Sequence, residues 1–100
     1  MYIAMNRFKI RPGKEDEFEK IWRKRDSRLD GVPGFQEFHL VKGKKNETYT
    51  LYASHSSWRS KIDFLNWTQS EAFREAHKGA GQHSDVYLGH PEFEGFEVII

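Results

Sequence analysis

Cysteine is absent from this sequence of 100 residues, which excludes a disulfide framework, a thiol nucleophile and a thiolate metal site. Long apolar runs are also absent: no stretch approaches the ~20 residues of a membrane helix, and no basic leader opens the chain. Charge of one sign does not dominate, because 16 basic and 15 acidic residues are well mixed. We therefore expect a cytoplasmic protein that binds neither membranes nor nucleic acid.

Several catalytic motifs are missing as well. No histidine pair has the spacing of a zinc site, no Gly-x-Ser-x-Gly elbow is present, and no Gly-x-Gly-x-x-Gly loop could hold a phosphate. A Ser-His-Asp triad is not excluded by residue type, but serine is too common for its presence to count. A dedicated hydrolase or nucleotide enzyme is therefore disfavoured.

Aromatic residues are abundant, at 15 of 100. The length predicts one small domain, residues 1–100, with a limited core. In such a core the aromatic excess has two interpretations. It indicates a flat hydrophobic ligand or a large subunit interface, or else ordinary aromatic packing.

The first segment, residues 2–10, alternates as a strand does. Asn6 is the polar exception on a face that also carries Ala4 and Phe8. A buried amide needs hydrogen-bond partners. Asn6 therefore either bonds to neighbouring backbone or offers an N–H donor inside a pocket.

The remaining pattern predicts a helix over 14–28, strands over 35–42, 48–55 and 93–100, and two short helices between 58 and 77. The first helix has an apolar stripe of Phe18, Ile21, Trp22 and Leu29. A polar hairpin loop is expected at 43–46 and a long loop at 78–91. This order predicts an α+β protein with the ferredoxin-like split βαβ arrangement. Helices would cover one sheet face, and a second copy would cover the other, so we expect a homodimer.

The two short helices place an indole and an imidazole near each other. Thr68 and Glu71 have capping-box spacing, which predicts a helix break at 67–68, and Gly79 is expected to end the second helix. Trp67 and His77 would then border one pocket. The helix dipole favours protonation of His77, so this residue is either a surface imidazolium that caps carbonyls or a functional ligand. His39 and His55 are expected to be partly buried, and His83 and His90 to be solvated.

The sequence also resembles that of a known protein family. The segment reads Trp58-x-Ser60-x-x-x-Phe64-x-x-Trp67-x-x-Ser70-x-x-Phe73-x-x-Ala76-His77, with Asn6-Arg7 in the first strand. The pattern resembles the IsdG-type haem-degrading monooxygenases, which belong to the antibiotic-biosynthesis-monooxygenase superfamily of dimeric α+β barrels. The resemblance covers nearly the whole chain.

The resemblance implies three catalytic residues: Asn6, Trp67 and His77. His77 would ligate the haem iron, the Asn6 amide would donate a hydrogen bond to the reacting oxygen, and Trp67 would press on the porphyrin and keep it ruffled. The residues expected to contact haem are His77, Trp67, Asn6, Trp22, Phe64 and Phe73.

The activity implied is haem oxygenase: haem serves as substrate and cofactor, dioxygen is consumed, and an external donor such as a reductase supplies electrons. The ring opens, iron becomes available to the cell, and a bilin-type product leaves. Two alternatives stay open. One is a cofactor-free monooxygenase of an aromatic or quinol metabolite, and the other is a haem carrier or stress protein that does not consume haem.

Overall fold

A computed structural model of the protein describes residues 1–25, 28–77 and 84–100. Strands and helices follow each other in the order predicted from the sequence. The elements are β1 (Tyr2–Ile10), α1 (Glu15–Lys24), β2 (Phe35–Lys45), β3 (Thr50–Trp58), α2 (Lys61–Thr68), α3 (Glu71–Ala76) and β4 (Glu92–Glu97).

The four strands form one antiparallel sheet in the order β2-β3-β1-β4. In this order β1 lies in the middle, between β3 and β4, although it comes first in the chain. Two helical segments connect strands that are not neighbours, which is the ferredoxin-like arrangement. The predicted α+β fold class is therefore confirmed.

The alternation along β1 is confirmed. Tyr2, Ala4, Phe8 and Ile10 are buried, whereas the residues between them are half-buried or exposed. Asn6 occupies the same face at the middle of the strand and is half-buried. It pairs with Ser54 on β3 and with Phe93 on β4.

The core has two parts, and Asn6 lies between them on β1. The first cluster is built on Phe8, Ile10, Phe18, Tyr52 and Val86. The second is built on Tyr2, Ala4, Leu29 and Trp58, with Phe64 and Trp67 packed against it. A polar residue thus occupies the position where an apolar side chain would join the two clusters.

The first helix is shorter than predicted. It ends at Lys24, and Arg25 is already extended, with φ −76° and ψ 126°. Leu29, which the helical stripe included, lies outside the helix and is buried in the second cluster. The prediction was wrong because Leu29 has the spacing of a helical stripe. Spacing alone does not show whether an apolar residue belongs to the helix or to the segment that follows it.

The hairpin between β2 and β3 also lies later than predicted. β2 continues through 43–45, and the turn follows it, where the Asn46 side chain accepts from the backbone N–H groups of Thr48 and Tyr49. β3 extends to Trp58, so this residue ends a strand and does not begin the helical segment. The pairing with β1 explains the shift, since Tyr2 is opposite Trp58.

Val86 and Tyr87, which belong to the predicted 78–91 loop, lie along the end of β1. Val86 is fully buried, its carbonyl accepts from the Arg11 backbone N–H at 2.9 Å, and Tyr87 bridges to Ile10. The expected helix end at Gly79 and the solvated His83 lie outside the described residues. The last strand ends at Glu97, not at residue 100.

The strand histidines differ from each other. His55 is half-buried as expected, but His39 is exposed, which contradicts the prediction of partial burial. His39 lies on the edge strand β2, opposite His55. His90 is exposed, as predicted.

Candidate functional site

Trp67 lies in the last turn of α2, and aromatic rings surround it. Its ring centroid is 5.4 Å from that of Trp58, 4.8 Å from Phe73 and 5.9 Å from His77. Phe64, one helical turn earlier, is 6.3 Å away. The Trp67 Nε1 atom is buried and has no hydrogen-bond partner among the residues that the structure describes. The indole is therefore held by packing, with its donor unused.

The junction between α2 and α3 differs from the predicted one. Ser70, not Thr68, caps α3: its Oγ accepts from the Phe73 backbone N–H at 3.1 Å and donates to the Trp67 carbonyl at 2.6 Å. The Thr68 hydroxyl instead donates back to the Leu65 carbonyl within α2. Ser70 thus connects the residue before the junction, Trp67, to the helix that carries His77.

His77 follows α3 directly and is half-buried. Its ring stacks on Phe73, with centroids 3.9 Å apart and planes at 27°. Nδ1 lies 2.9 Å from the Phe73 carbonyl oxygen. Because a carbonyl only accepts, Nδ1 carries the proton and Nε2 keeps its lone pair.

The His77 imidazole is biased toward its neutral form. Burial lowers its pKa below the ordinary value of 6.5, the nearby Arg25 charge lowers it further, and the Phe73 carbonyl raises it only in part. The expectation that the helix end favours the cation was therefore wrong. Desolvation of the half-buried imidazole is the largest cause of the lowered pKa.

Asn6 lies on the sheet, where it pairs with Phe93, the residue that stacks on Phe64. Its side-chain amide forms no hydrogen bond with any residue in the described ranges, although it lies on the buried face of β1. The interpretation in which Asn6 bonds to neighbouring backbone is thus not what the structure shows. An amide donor remains available between the two core clusters.

Trp22 packs against the first cluster, whereas Trp67 packs against the second. It stacks on Phe38 at 5.9 Å with planes at 16°, and it contacts Phe8 at 5.5 Å. The structure gives Trp22 no ring contact with Trp67 or His77 within the described chain. Arg25 bridges the gap, because its guanidinium lies 4.6 Å over the Trp22 ring while its Nε donates to the Ala76 carbonyl at 3.1 Å.

Tyr87 adds a polar group beside Trp22 and Arg25. Burial raises the pKa of Tyr87, and the nearby Trp22 indole and Arg25 charge oppose that rise. The Trp22 Nε1 is buried and close to Tyr87, but no partner in the described chain meets good hydrogen-bond geometry with it. A cavity of about 320 Å³ opens beside Trp22, toward Glu19 and Tyr52.

The predicted site residues are thus only partly brought together. Trp67, Phe73 and His77 form one contiguous group. Phe64 contacts Trp67 but otherwise packs toward the sheet, where it stacks on Phe93 at 5.6 Å.

Sequence reasoning missed Arg25 and Ser70. Arg25 stands three residues after Trp22, a spacing that would place both on one helical edge, but a charged residue outside the apolar stripe did not indicate a site residue. Ser70 precedes Glu71 directly, and serine is a strong N-cap residue, but Thr68 offered the competing capping-box pattern.

The chemistry available is that of a single imidazole ligand in an aromatic setting. No group of three or more histidine or acidic side chains in the described ranges could hold a metal ion. A neutral imidazole whose Nδ1–H is bonded to a carbonyl is a good axial ligand, because the second hydrogen bond orients the ring. The residues present supply one imidazole ligand and aromatic surface, which fits a metal ion that a planar macrocycle already coordinates.

Comparison with known proteins identifies the family. The family model described as antibiotic biosynthesis monooxygenase matches residues 1–79. The chain belongs to this family. A relative from Shouchella clausii, named heme-degrading monooxygenase, is 33% identical over 100 residues, covering 99% of this chain and 92% of the relative. A protein of the same name from Bacillus thuringiensis is 29% identical, covering 88% and 81%.

A solved structure extends the family likeness to the fold. MhuD, described as a heme-degrader from Mycobacterium tuberculosis with two hemes in its active site, is 26% identical and has a TM-score of 0.75. The match covers 100% of this chain and 97% of MhuD. No helix in the described part of this family member is long and apolar enough to span a membrane.

Proposed function

We propose that this family member is a haem-degrading monooxygenase. One observation carries the proposal: the His77 ring stacks on Phe73 with Nδ1–H bonded to the Phe73 carbonyl, and Nε2 has no hydrogen-bond partner among the described residues. The names of the two curated relatives and of MhuD support haem as the ligand.

His77 would hold the haem iron, and Trp67, Phe73 and Trp22 would contribute aromatic surface to the macrocycle. When bound, haem supplies the iron at which dioxygen reacts and the carbon that is oxidised, with electrons from an external donor. The neutral state of His77 favours ligation, because a proton on Nε2 would compete with the metal.

Asn6 would act as a hydrogen-bond donor to the reacting oxygen. Its amide is unpaired in the described chain and lies on an apolar strand face, where water competes poorly. A preorganised donor of this kind is worth about 3 kcal/mol of barrier, or roughly a hundredfold in rate.

Trp67 would act through its bulk. The Trp67 ring packs against that of Trp58. Trp58 is fully buried, and its Nε1 donates to the Ser56 hydroxyl at 2.9 Å. A side chain packed in this way cannot move aside easily when a planar ligand presses on it. This rigidity supports a role in distorting the macrocycle.

We also propose a homodimer through the sheet face that the helices leave open. Ile3 and Phe96 pair on this face, Val41 lies on it opposite Ala53, and Phe96 and Val41 are 38% and 43% exposed. Apolar side chains exposed on several strands of one face favour burial against a second copy.

The test is aerobic incubation of the haem complex with ascorbate, with products identified by mass. A ring-opened product and released iron are expected. Haem that binds but survives would indicate a carrier, and the absence of a Soret shift on haem addition would indicate the cofactor-free alternative.

The residue roles are tested by single-turnover haem decay with excess reductant. Asn6→Ala should slow decay roughly a hundredfold with affinity nearly unchanged. Trp67→Phe should keep part of the activity. Trp67→Ala should be slower, with haem bound as tightly or more tightly. Asn66→Ala, which changes an exposed amide beside Trp67, is the matched control. Rates within about threefold of wild type, or ~0.65 kcal/mol, would contradict these roles.

A further inference from the structure

Ser54 is an unpaired polar residue on the inward face of β3, the face that the helices cover. The fold uses the polar side chains on either side of it on this face. The Tyr52 hydroxyl donates to the Glu19 carboxylate at 2.6 Å. The Ser56 hydroxyl accepts from the Trp58 Nε1 at 2.9 Å. The half-buried Ser54 hydroxyl, in contrast, has no hydrogen-bond partner among the described residues, although most polar groups inside a protein are paired.

Asn6 is the direct neighbour of Ser54 on the adjacent strand. The two residues are opposite each other in the pairing of β1 with β3. Residues in this position of an antiparallel sheet have Cβ atoms about 5 Å apart and share one face. Both are half-buried, and in the described chain neither side chain forms a hydrogen bond with the other or with a third residue. The two polar exceptions on the inward face of the sheet are therefore adjacent.

The same row of the sheet leads to the aromatic residues of the candidate site. Ser54 and Asn6 lie between Leu40 on β2 and Phe93 on β4. Leu40 packs against the first core cluster. Phe93 stacks on Phe64, which packs against the second cluster. The pair of polar side chains thus lies between the two clusters, with apolar and aromatic side chains on either side.

We propose that the Ser54 hydroxyl is a second hydrogen-bond donor of the candidate site and acts beside the Asn6 amide on a small anion that binds the haem iron from the side of the sheet. The inference rests on the proposed function, in which His77 holds the iron from the end of α3. A hydroxyl and an amide both donate. Two adjacent donors without partners in the described chain suit an anionic acceptor, because hydrogen bonds to a charged group are the stronger ones.

The test uses azide, a small anion that binds ferric haem. Azide affinity is measured by spectral titration of the ferric haem complex for wild type, Ser54→Ala, Ser54→Thr, Ser54→Val and Ser57→Ala. Threonine and valine have nearly the same shape, but only threonine keeps a hydroxyl, so their comparison isolates the hydrogen bond. Ser57 lies on the opposite face of the sheet, where it pairs with Ile3, and is the matched control.

Wild type, Ser57→Ala and Ser54→Thr should bind azide with similar affinity. Ser54→Ala and Ser54→Val should bind it about tenfold or more weakly, as expected for the loss of a hydrogen bond to a charged group. Equal azide affinity in Ser54→Thr and Ser54→Val would overturn the inference.

Thermal unfolding of the haem-free protein separates a binding role from a structural one. Removing a hydroxyl that has no partner takes no hydrogen bond from the fold, so Ser54→Ala should melt at or above the wild-type temperature. Ser56→Ala should melt earlier, because the buried Trp58 Nε1 loses its acceptor. If Ser54→Ala melts as early as Ser56→Ala, the fold itself uses the Ser54 hydroxyl and the inference is wrong.

The outcomes for Ser54 and for the proposed function are distinguishable. Azide affinity that ignores the Ser54 hydroxyl, in a complex that still degrades haem, contradicts this inference and leaves the proposed function standing. Azide affinity that depends on the hydroxyl, in a complex that does not consume haem, supports the role of Ser54 and contradicts the oxygenase. If haem does not bind at all, both fail.

Discussion

Ser70→Ala should destabilise the helix that carries His77. Ser70 Oγ accepts from the Phe73 N–H at 3.1 Å and donates to the Trp67 carbonyl at 2.6 Å, so one hydroxyl caps α3 and fixes it to the end of α2. A helix of six residues does not persist without tertiary support. Removing the hydroxyl therefore acts directly on the position of His77.

The magnitude follows from the two hydrogen bonds. Loss of a serine N-cap costs about 1 kcal/mol, and loss of the second bond up to about 1 kcal/mol more. For a domain of this length the total of about 1–2 kcal/mol lowers the melting temperature by roughly 4 to 16 °C. If the whole loss falls on the conformation that presents His77, haem affinity falls about 5- to 30-fold.

Ser60→Ala is the matched control, because Ser60 caps α2 in the same way, accepting from the Asp63 N–H at 3.3 Å. Thermal unfolding by circular dichroism and haem titration are measured for both variants. Both should melt earlier, but only Ser70→Ala should bind haem more weakly. Equal loss of affinity in the two variants, or no effect of Ser70→Ala on either quantity, would refute the reasoning.

Three further predictions concern the ligand and the assembly. His77→Ala should abolish the Soret shift on haem addition, whereas His90→Ala, which changes an exposed histidine, should not. The reverse result would indicate that His90, not His77, ligates the iron. Because the pKa of His77 is lowered below 6.5, haem affinity should be flat from pH 8 to about 6.5 and fall roughly tenfold per unit below the folded pKa. Affinity already falling between pH 8 and 7 would contradict this. Sedimentation at micromolar concentration should show a dimer that Phe96→Glu converts to monomer; a compact wild-type monomer would refute the interface.

The same pKa shift predicts the stability of the protein without haem. The unfolded chain takes up a proton on His77 near pH 6.5, before the folded chain does. The contribution of the neutral imidazole to stability is therefore complete above about pH 6.5 and is lost as the pH falls toward the lower folded pKa. The pH dependence of unfolding in His77→Ala should be weaker over this interval.

The sheet and its order were predictable because period-two alternation depends only on which face is buried. Along β1 the pattern identified the buried face correctly, including the exceptional position of Asn6. The element boundaries were less predictable, since they depend on partners distant in sequence. The end of β3 at Trp58 is determined by its pairing with Tyr2, which local spacing does not contain.

The candidate site was also predictable only in part. Trp67 and His77 were identified from the motif, and the structure brings their rings to 5.9 Å. The protonation state of His77 could not be predicted, because the dipole is a local property of the helix, whereas desolvation depends on packing. Arg25 was missed for a related reason: it contacts the Ala76 carbonyl, which is 51 residues away in the sequence, and local spacing does not predict such a contact.

Two polar groups connect the fold to its proposed chemistry. The Trp67 Nε1 is buried and the Asn6 side chain is half-buried, and neither group has a hydrogen-bond partner within the described chain. Leaving a buried donor unpaired costs about 1–3 kcal/mol, so the Trp67 indole opposes folding. An apolar residue at position 6 would join the two core clusters. The arrangement would become favourable if the proposed ligand supplied an oxygen that accepts from the amide and aromatic surface against the indole.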